Sequence, residues 1–239
     1  MLSKFKRSKH QQHLAQLPKL PQTVADVRTL YAPSDFRATL LDSIANATQR
    51  IYLVALYLEH DDAGREILNA LYQAKQRRPE LEICVLVDWH RAQRGRIGAA
   101  AANTNADWYC AMASQHPEQS VPIYGVPVNT REALGVLHLK GFVVDDTVIY
   151  SGASINDVYL HQHEKYRYDR YQLITNGVLA DTLIDYIKQH LLTAGAVQRL
   201  DRSDRPKSLR SKTKPVCSVS PCAVPVTTSA AKLATMSWR

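Results

Sequence analysis

Apolar runs of strand length alternate with amphipathic stretches of helical spacing through the middle of the chain. The run Ile51–Leu58 is apolar throughout, which predicts a strand over 50–58 that is covered on both faces of its sheet. The following stretch, 61–77, opens with acidic residues, carries apolar residues at helical spacing and is followed by Pro79, so it is predicted to be a helix. This alternation predicts an α/β fold with a mixed sheet flanked by helices.

The same patterns predict further elements within an α/β domain over 25–200. They are a strand over 81–89, a helix over 105–116, a short edge strand or extended loop over 121–128, two strands within 133–152 joined at Asp145 and Asp146, a strand over 170–175 and a helix over 177–192.

Basic residues are concentrated at the two ends of the 239-residue chain, whose net charge is +8. Residues 1–10 carry four Lys or Arg and no acid, and residues 201–239 carry eight with two acids, which leaves about −2 for the rest. We expect a basic N-terminal segment over 1–24. We expect a disordered basic tail over 201–239, because this stretch lacks periodicity and is rich in Ser, Pro, Thr and Lys. Such ends are attracted to anionic lipid headgroups or to nucleic acid; the alternative is a pair of solvated tails.

The sequence contains no pattern typical of a membrane span or a secretion signal. The longest apolar run has eight residues, fewer than the roughly 20 that a transmembrane helix needs, and the basic start lacks the apolar core of a signal peptide. Cys84 falls in an apolar strand and Cys110 in a predicted helix, which suits reduced thiols. A cytoplasmic location is therefore expected.

The stretch "LHLKGFVVDD", residues 137–146, sets polar side chains into a predicted strand. Alternate side chains share a face, so His138 and Lys140 are predicted to point together, whereas Asp145 must lie past a bend or orient another histidine. A neutral imidazole can attack phosphorus, and a fixed ammonium can neutralise non-bridging oxygens. A metal would need three or more converging ligands, and the lysine would repel it. The pattern favours phosphate chemistry without metal or cofactor.

The spacing of His138, Lys140 and Asp145 resembles the signature of the phospholipase D superfamily. "GASIN" resembles the Gly-Ser-x-Asn element that follows it there, with one extra residue. Longer stretches, including "GVPVNTREALGVLHLKGF" and "YSGASINDVYLHQHEKYRYDRY", extend the resemblance over about residues 1–208 to the bacterial phosphatidylserine synthases of the phospholipase D type. The resemblance implies transfer of a phosphatidyl group from CDP-diacylglycerol to L-serine with release of CMP, and no nucleic-acid partner. It implies peripheral association with the inner face of the membrane, which we expect the basic ends to mediate.

The resemblance also implies a role for individual residues of this chain. His138 would be either the nucleophile that forms a phosphatidyl-histidine intermediate or the acid/base, Lys140 would hold the phosphate, and Asp145 would be the orienting carboxylate. Ser154 and Asn156 would line the phosphate pocket.

Three arginines are candidates for binding the pyrophosphate or the cytidine phosphate. Arg91, Arg94 and Arg96 follow a predicted strand, where α/β sheets commonly bind ligands. A solvated basic loop is an equally good interpretation.

Superfamily sites are normally built from two such motifs, and this chain contains one. His163 and Lys165 repeat part of the pattern, but Asp169 follows too soon, which favours a charged helix or loop over the site. We therefore expect a truncated chain that is inactive unless two copies pair as a homodimer. The alternatives are a homodimeric phosphodiesterase or nuclease of the superfamily, which would use water, and an inactive fragment.

Overall fold

The computed structural model describes residues 19–94, 104–129, 132 and 135–205. All of its helices and strands belong to one compact unit, Thr23–Val219; the other unit consists of the two ends of the chain, of which residues 19–22 are described. Most of the predicted basic tail lies outside the described residues. Among the described residues, no helix combines the length and the apolar character needed to cross a bilayer.

Eight strands form one mixed sheet. They are β1 (Val27–Leu30), β2 (Arg50–Ala55), β3 (Glu82–Asp88), β4 (Ile123–Val126), β5 (Gly141–Val144), β6 (Thr147–Ser151), β7 (Tyr171–Thr175) and β8 (Gln198–Arg199). Their order across the sheet is β1-β7-β6-β5-β2-β3-β4-β8. β2, β3 and β4 are parallel, β5 is antiparallel to β2, and β6 is antiparallel to β5. The last residues of β2, β3, β4 and β6 therefore share one end of the sheet with the first residue of β5, and we call this the site end.

Helices cover both faces of the sheet. They are α1 (Pro33–Asn46), α2 (Asp62–Arg77), the short α3 (Trp89–Ala92), α4 (Asn105–Gln115) and α5 (Gly177–Tyr186), which continues as the π-helical turn Ile187–Leu191. In β2, Ile51 and Leu53 belong to the core cluster that includes residues of α1, α2 and α4, whereas Tyr52 and Val54 belong to the cluster that includes α5. The continuous apolar run of β2 thus arises because both of its faces are covered, and the predicted fold class is confirmed.

Most predicted elements match observed ones to within a few residues, but the patterns do not predict β1, α1 or β8. β1 exposes three of its four residues, and β8 has two residues, so neither carries a readable alternation. α1 buries one narrow row of side chains, Pro33, Phe36, Leu40 and Ile44, among polar and small neighbours.

The prediction that the first strand within 133–152 includes residues 135–140 is wrong. These residues join no strand, and β5 begins at Gly141. Gly141 has φ of 146°, a conformation that favours glycine and interrupts regular pairing. The N–H of Leu137 is also diverted from a strand partner, because it donates to the side chain of Asp88.

Candidate active site

Segment 135–140 carries His138 and Lys140 to the site end of the sheet, immediately before β5. Leu137 is buried in the core cluster on the α5 face, whereas His138 is exposed and Lys140 is half-buried. Among the described residues, neither the imidazole of His138 nor the ammonium of Lys140 has a hydrogen bond or an ion pair. Two cationic or nucleophilic groups are therefore left available to an anionic ligand.

Asp88, the last residue of β3, fixes this segment, and the sequence patterns did not single it out. Its fully buried carboxylate accepts the N–H of Leu137 at 2.8 Å and the N–H of Arg91 at 3.0 Å. Burial raises the pKa of Asp88, although the N–H donors oppose the shift. An acid at the end of an otherwise apolar strand was the signal that could have identified it.

The loop after β6 brings the two predicted pocket residues to the site end. Ile155 forms a parallel bridge with Leu58, which extends the sheet beyond β2. Ser154 is buried, and Asn156 is half-buried with its side-chain oxygen accepting the N–H of Tyr159 at 3.0 Å. The amide of Asn156 also donates to the Tyr57 hydroxyl at 3.4 Å. Ser154 and Asn156 therefore lie at the site end of the sheet, as His138 does.

Asp145 lies at the opposite end of β5, and its predicted role of orienting a histidine of this site is wrong. It occupies the turn between β5 and β6 with φ of 49°. Its carboxylate accepts the N–H groups of Thr48, Gln49 and Arg50 at 2.8, 2.8 and 3.0 Å, and the Thr48 hydroxyl at 3.0 Å. Partial burial alone would raise the pKa of Asp145, but these donors outweigh it and hold the pKa below its usual value. The carboxylate therefore fixes the start of β2.

Arg91 and Arg94 follow β3 at the site end, as predicted, and both contact Glu132. Arg91 lies 3.5 Å from this carboxylate and 5.2 Å from the centroid of the Tyr57 ring, and Arg94 forms a closer ion pair with the same group. The two guanidinium groups carry more positive charge than the single carboxylate of Glu132 neutralises. Arg96 lies outside the described residues.

The incomplete second motif belongs to a loop, residues 157–170, between β6 and β7. The imidazole of His163 contacts the carboxylate of Asp62 at the start of α2 and lies 3.6 Å from that of Asp157 in the same loop. The carboxylate of Asp169 accepts the N–H of Gly152 at 3.1 Å, and a Cβ atom on Gly152 would lie 2.8 Å from it. This contact holds the end of the loop next to Gly152, beside the predicted phosphate pocket. The stretch is a loop, which is one of the two forms, helix or loop, that the sequence favoured.

The molecule is an α/β protein with basic side chains at the ends of parallel strands, an arrangement that commonly binds phosphate-bearing ligands. Comparison with known families agrees with that class. The family described as "Cardiolipin synthase, PLD-like domain" matches residues 40–190, which is more than half of the chain. The chain belongs to this family.

Comparison with individual proteins gives a more specific result than the match to the family. The chain is 68% identical over 208 residues to the CDP-diacylglycerol–serine O-phosphatidyltransferase PssA of Escherichia coli (strain K12), an alignment covering 87% of this chain and 46% of that protein. The crystal structure of phosphatidylserine synthase from Haemophilus influenzae Rd KW20 matches with a TM-score of 0.79 and 49% identity, over 84% of this chain and 44% of that one. The resemblance to phosphatidylserine synthases is confirmed. The chain spans about half the length of the curated relatives it matches.

Proposed function

We propose that this chain contributes His138 and Lys140 to a site that transfers the phosphatidyl group of CDP-diacylglycerol to L-serine. The observation that carries the proposal is this pair of unengaged groups at the site end of the sheet. The pair occurs in a chain that is 68% identical to a relative named for that reaction. Ser154 and Asn156 line the phosphate pocket, and Arg91, Arg94 and Arg96 attract the cytidine phosphate.

The reaction divides into two displacements at one phosphorus atom. In the first, an imidazole nitrogen of His138 attacks the diacylglycerol-linked phosphorus, so that a P–N bond forms and the P–O bond to CMP breaks. In the second, the serine hydroxyl attacks phosphatidyl-histidine, the P–N bond breaks, and the hydroxyl proton passes to a general base. Lys140 stabilises both transition states by placing positive charge beside the non-bridging oxygens.

The general base requires a second imidazole, which a single copy of this motif does not supply. Sites of the superfamily normally pair two such motifs, and residues 1–239 contain one. We therefore propose that two copies form a homodimer that brings two His138 side chains to one site, and that the monomer is inactive.

The test measures CMP release from CDP-diacylglycerol in detergent micelles, with and without L-serine, over a range of protein concentrations. We expect serine-dependent release that rises with the dimer fraction determined by light scattering. His138→Asn should lower the rate by at least about 100-fold, because nucleophile and base are lost together. His190→Asn, which changes a half-buried histidine on the π-helical turn, is the matched control and should retain activity.

Each alternative function gives a different result in this assay. CMP release without any need for serine would indicate a phosphodiesterase that uses water. Equal rates for the native chain and His138→Asn would indicate an inactive fragment. Full serine-dependent activity from a monomer would contradict the homodimer.

We also propose that the protein meets its lipid substrate as a peripheral protein at the inner, cytoplasmic face of the membrane. Most residues of the two basic ends lie outside the described residues. A set of exposed aromatic and basic residues elsewhere in the chain also supports membrane contact. We group six exposed residues under the name aromatic–basic patch: Tyr31 directly follows β1, Tyr150 lies in β6, and Tyr166, Arg167, Tyr168 and Arg170 lie in the loop that leads to β7. Tyr31 and Tyr168 are 76% and 62% exposed, and the guanidinium of Arg170 lies 4.9 Å from the centroid of the Tyr150 ring. Exposed tyrosine and arginine together suit a lipid–water interface.

A further inference from the structure

Three potential metal ligands converge where the loop 157–170 meets the start of α2. The Nε2 atom of His163 lies 3.0 Å from Oδ2 of Asp62 and 3.6 Å from Oδ2 of Asp157, and the three ligand atoms all lie within 4.8 Å of one another. With metal–ligand bonds of about 2.0–2.2 Å, neighbouring ligand atoms lie roughly 3–3.6 Å apart. These atoms therefore already have spacings close to those of a metal's first coordination shell.

The surroundings of Asp157 leave one of its oxygens facing the histidine. Asp157 is 7% exposed, and its Oδ1 accepts the N–H of Ala63 at 2.8 Å. Its own N–H donates to Oδ2 of Asp61, whose Oδ1 accepts the N–H of Gly64. The backbone of the loop and that of α2 are thus held together, and Oδ2 of Asp157 points toward Nε2 of His163 at a ligand-like distance.

Negative charge exceeds positive charge around these three side chains. Three carboxylates, those of Asp61, Asp62 and Asp157, lie at the start of α2, and Arg65 forms an ion pair with Asp62. The helix start contributes roughly half a positive charge. A neutral imidazole adds none, so a bound cation would reduce the repulsion among the carboxylates.

The residue next to His163 carries a further oxygen that could serve a cation. Oε1 of Gln162 is buried and has no hydrogen-bond partner among the described residues, and Gln162 lines the same surface groove as Asp62. A buried carbonyl oxygen without a partner is costly, and binding to a cation or to its coordinated water would remove that cost.

We propose that Asp62, Asp157 and His163 bind one divalent transition-metal ion that fastens the loop 157–170 to α2. Mixed imidazole and carboxylate ligands suit Zn²⁺ or Mn²⁺, whereas Mg²⁺ and Ca²⁺ prefer oxygen ligands alone. Asp157 directly follows Asn156, so the ion holds in place the loop that carries the predicted phosphate pocket. It is a positioning site and takes no part in the displacement at phosphorus.

The experiment uses the full chain freed of metal with a chelator and titrated with Mn²⁺, whose free-ion electron paramagnetic resonance signal reports the bound fraction. Mn²⁺ is preferred to Zn²⁺ because it binds cysteine thiols weakly. We expect about one equivalent bound per chain, and a rise in Tm of about 5–10 °C at a Mn²⁺ concentration near 100 times Kd. Asp157→Asn and His163→Gln should each weaken binding by at least about 10-fold.

The controls keep the proposal falsifiable. Asp146→Asn and His161→Gln remove a carboxylate and an imidazole outside the cluster and should leave Mn²⁺ binding unchanged. The Asp157→Asn variant retains a side-chain oxygen that can accept the N–H of Ala63. If this variant nevertheless fails to fold, Asp62→Asn, at a half-buried position, is measured in its place. Absence of binding below about 1 mM Mn²⁺, or binding that survives both cluster variants, would overturn the proposal. So would a Tm that does not change on addition of Mn²⁺. Neither measurement depends on catalytic turnover.

Discussion

At the scale of single residues, Asp145 shows that a motif position can serve the fold and not the reaction. Its carboxylate accepts three backbone N–H groups at the start of β2, and its own backbone has φ of 49° in the turn between β5 and β6. Few side chains other than Asp and Asn tolerate this backbone conformation, and a carboxylate can accept several donors at once. The aspartate is therefore suited to joining the hairpin to β2.

Asp145→Asn should lower the free energy of unfolding by about 1–3 kcal/mol at pH 7, because the amide NH₂ would face N–H donors. The folded-state pKa of Asp145 lies below its ordinary value of 3.8, so the carboxylate's contribution is complete above that value and is lost as pH falls through the folded-state pKa. Urea unfolding of both proteins at pH 7 and pH 3 should show a smaller difference at pH 3.

The neighbouring change Asp146→Asn is the matched control. Its carboxylate is 65% exposed and pairs with Arg50 at 3.2 Å, so the loss should stay below about 1 kcal/mol. A difference between the native chain and Asp145→Asn that is constant from pH 7 to pH 3 would contradict the assigned role.

At the scale of elements, the start of α2 depends on a close approach between backbones. The acidic opening of this helix was predicted, and Asp61 is indeed the N-cap, with its side chain accepting the N–H of Gly64 at 2.9 Å. The need for glycine at position 64 is visible only in the structure. A Cβ atom there would lie 1.8 Å from the carbonyl oxygen of Glu59.

Gly64→Ala should therefore lower the free energy of unfolding by about 2–3 kcal/mol, because α2 must shift away from Glu59. The helix propensity of alanine, which alone would add roughly 1 kcal/mol, is outweighed. Gly195→Ala is the control, since no atom lies within 4 Å of its added Cβ, and its effect should stay within about 0.5 kcal/mol. Equal unfolding midpoints for the two variants in urea would show that the contact is easily relieved.

At the scale of the whole molecule, the mixed sheet collects the polar groups at one end. Leu137 and Asp88 are 49 positions apart in the sequence and are joined because β3 ends where β5 begins. β6 ends and β7 begins at the site end of the sheet. The loop 157–170, which carries much of the aromatic–basic patch, therefore starts and finishes at the site end.

Charge reversal within the patch should weaken membrane binding. Flotation with vesicles containing anionic lipid should fall by at least about 10-fold in Arg167→Glu/Arg170→Glu, since each basic residue contributes about 1 kcal/mol near such a surface. Binding of the native chain should also fall between about 0.05 and 0.5 M salt. Arg77→Glu, at the end of α2, is the control. Flotation that is unchanged in the double variant would assign binding to the basic ends alone.

The hydrophobic pattern predicted most of the sheet and helices because periodicity is a local property of the chain. β2 and β3 are buried on both faces, so their apolar runs were unambiguous, whereas the exposed edge strand β1 left no such signal. His138 and Lys140 were singled out by their spacing, and their role in the site stays a prediction. Asp88 and Glu132 were not singled out, because they act through partners distant in sequence.

By itself, the sequence determined the fold class and the order of the principal elements, and it singled out His138 and Lys140, because each depends on residues close together along the chain. The tertiary structure decided which carboxylate holds which segment. Asp145 meets Thr48 across 97 positions, and His163 meets Asp62 across 101. Such pairings follow from strand order and loop closure, which no local spacing encodes.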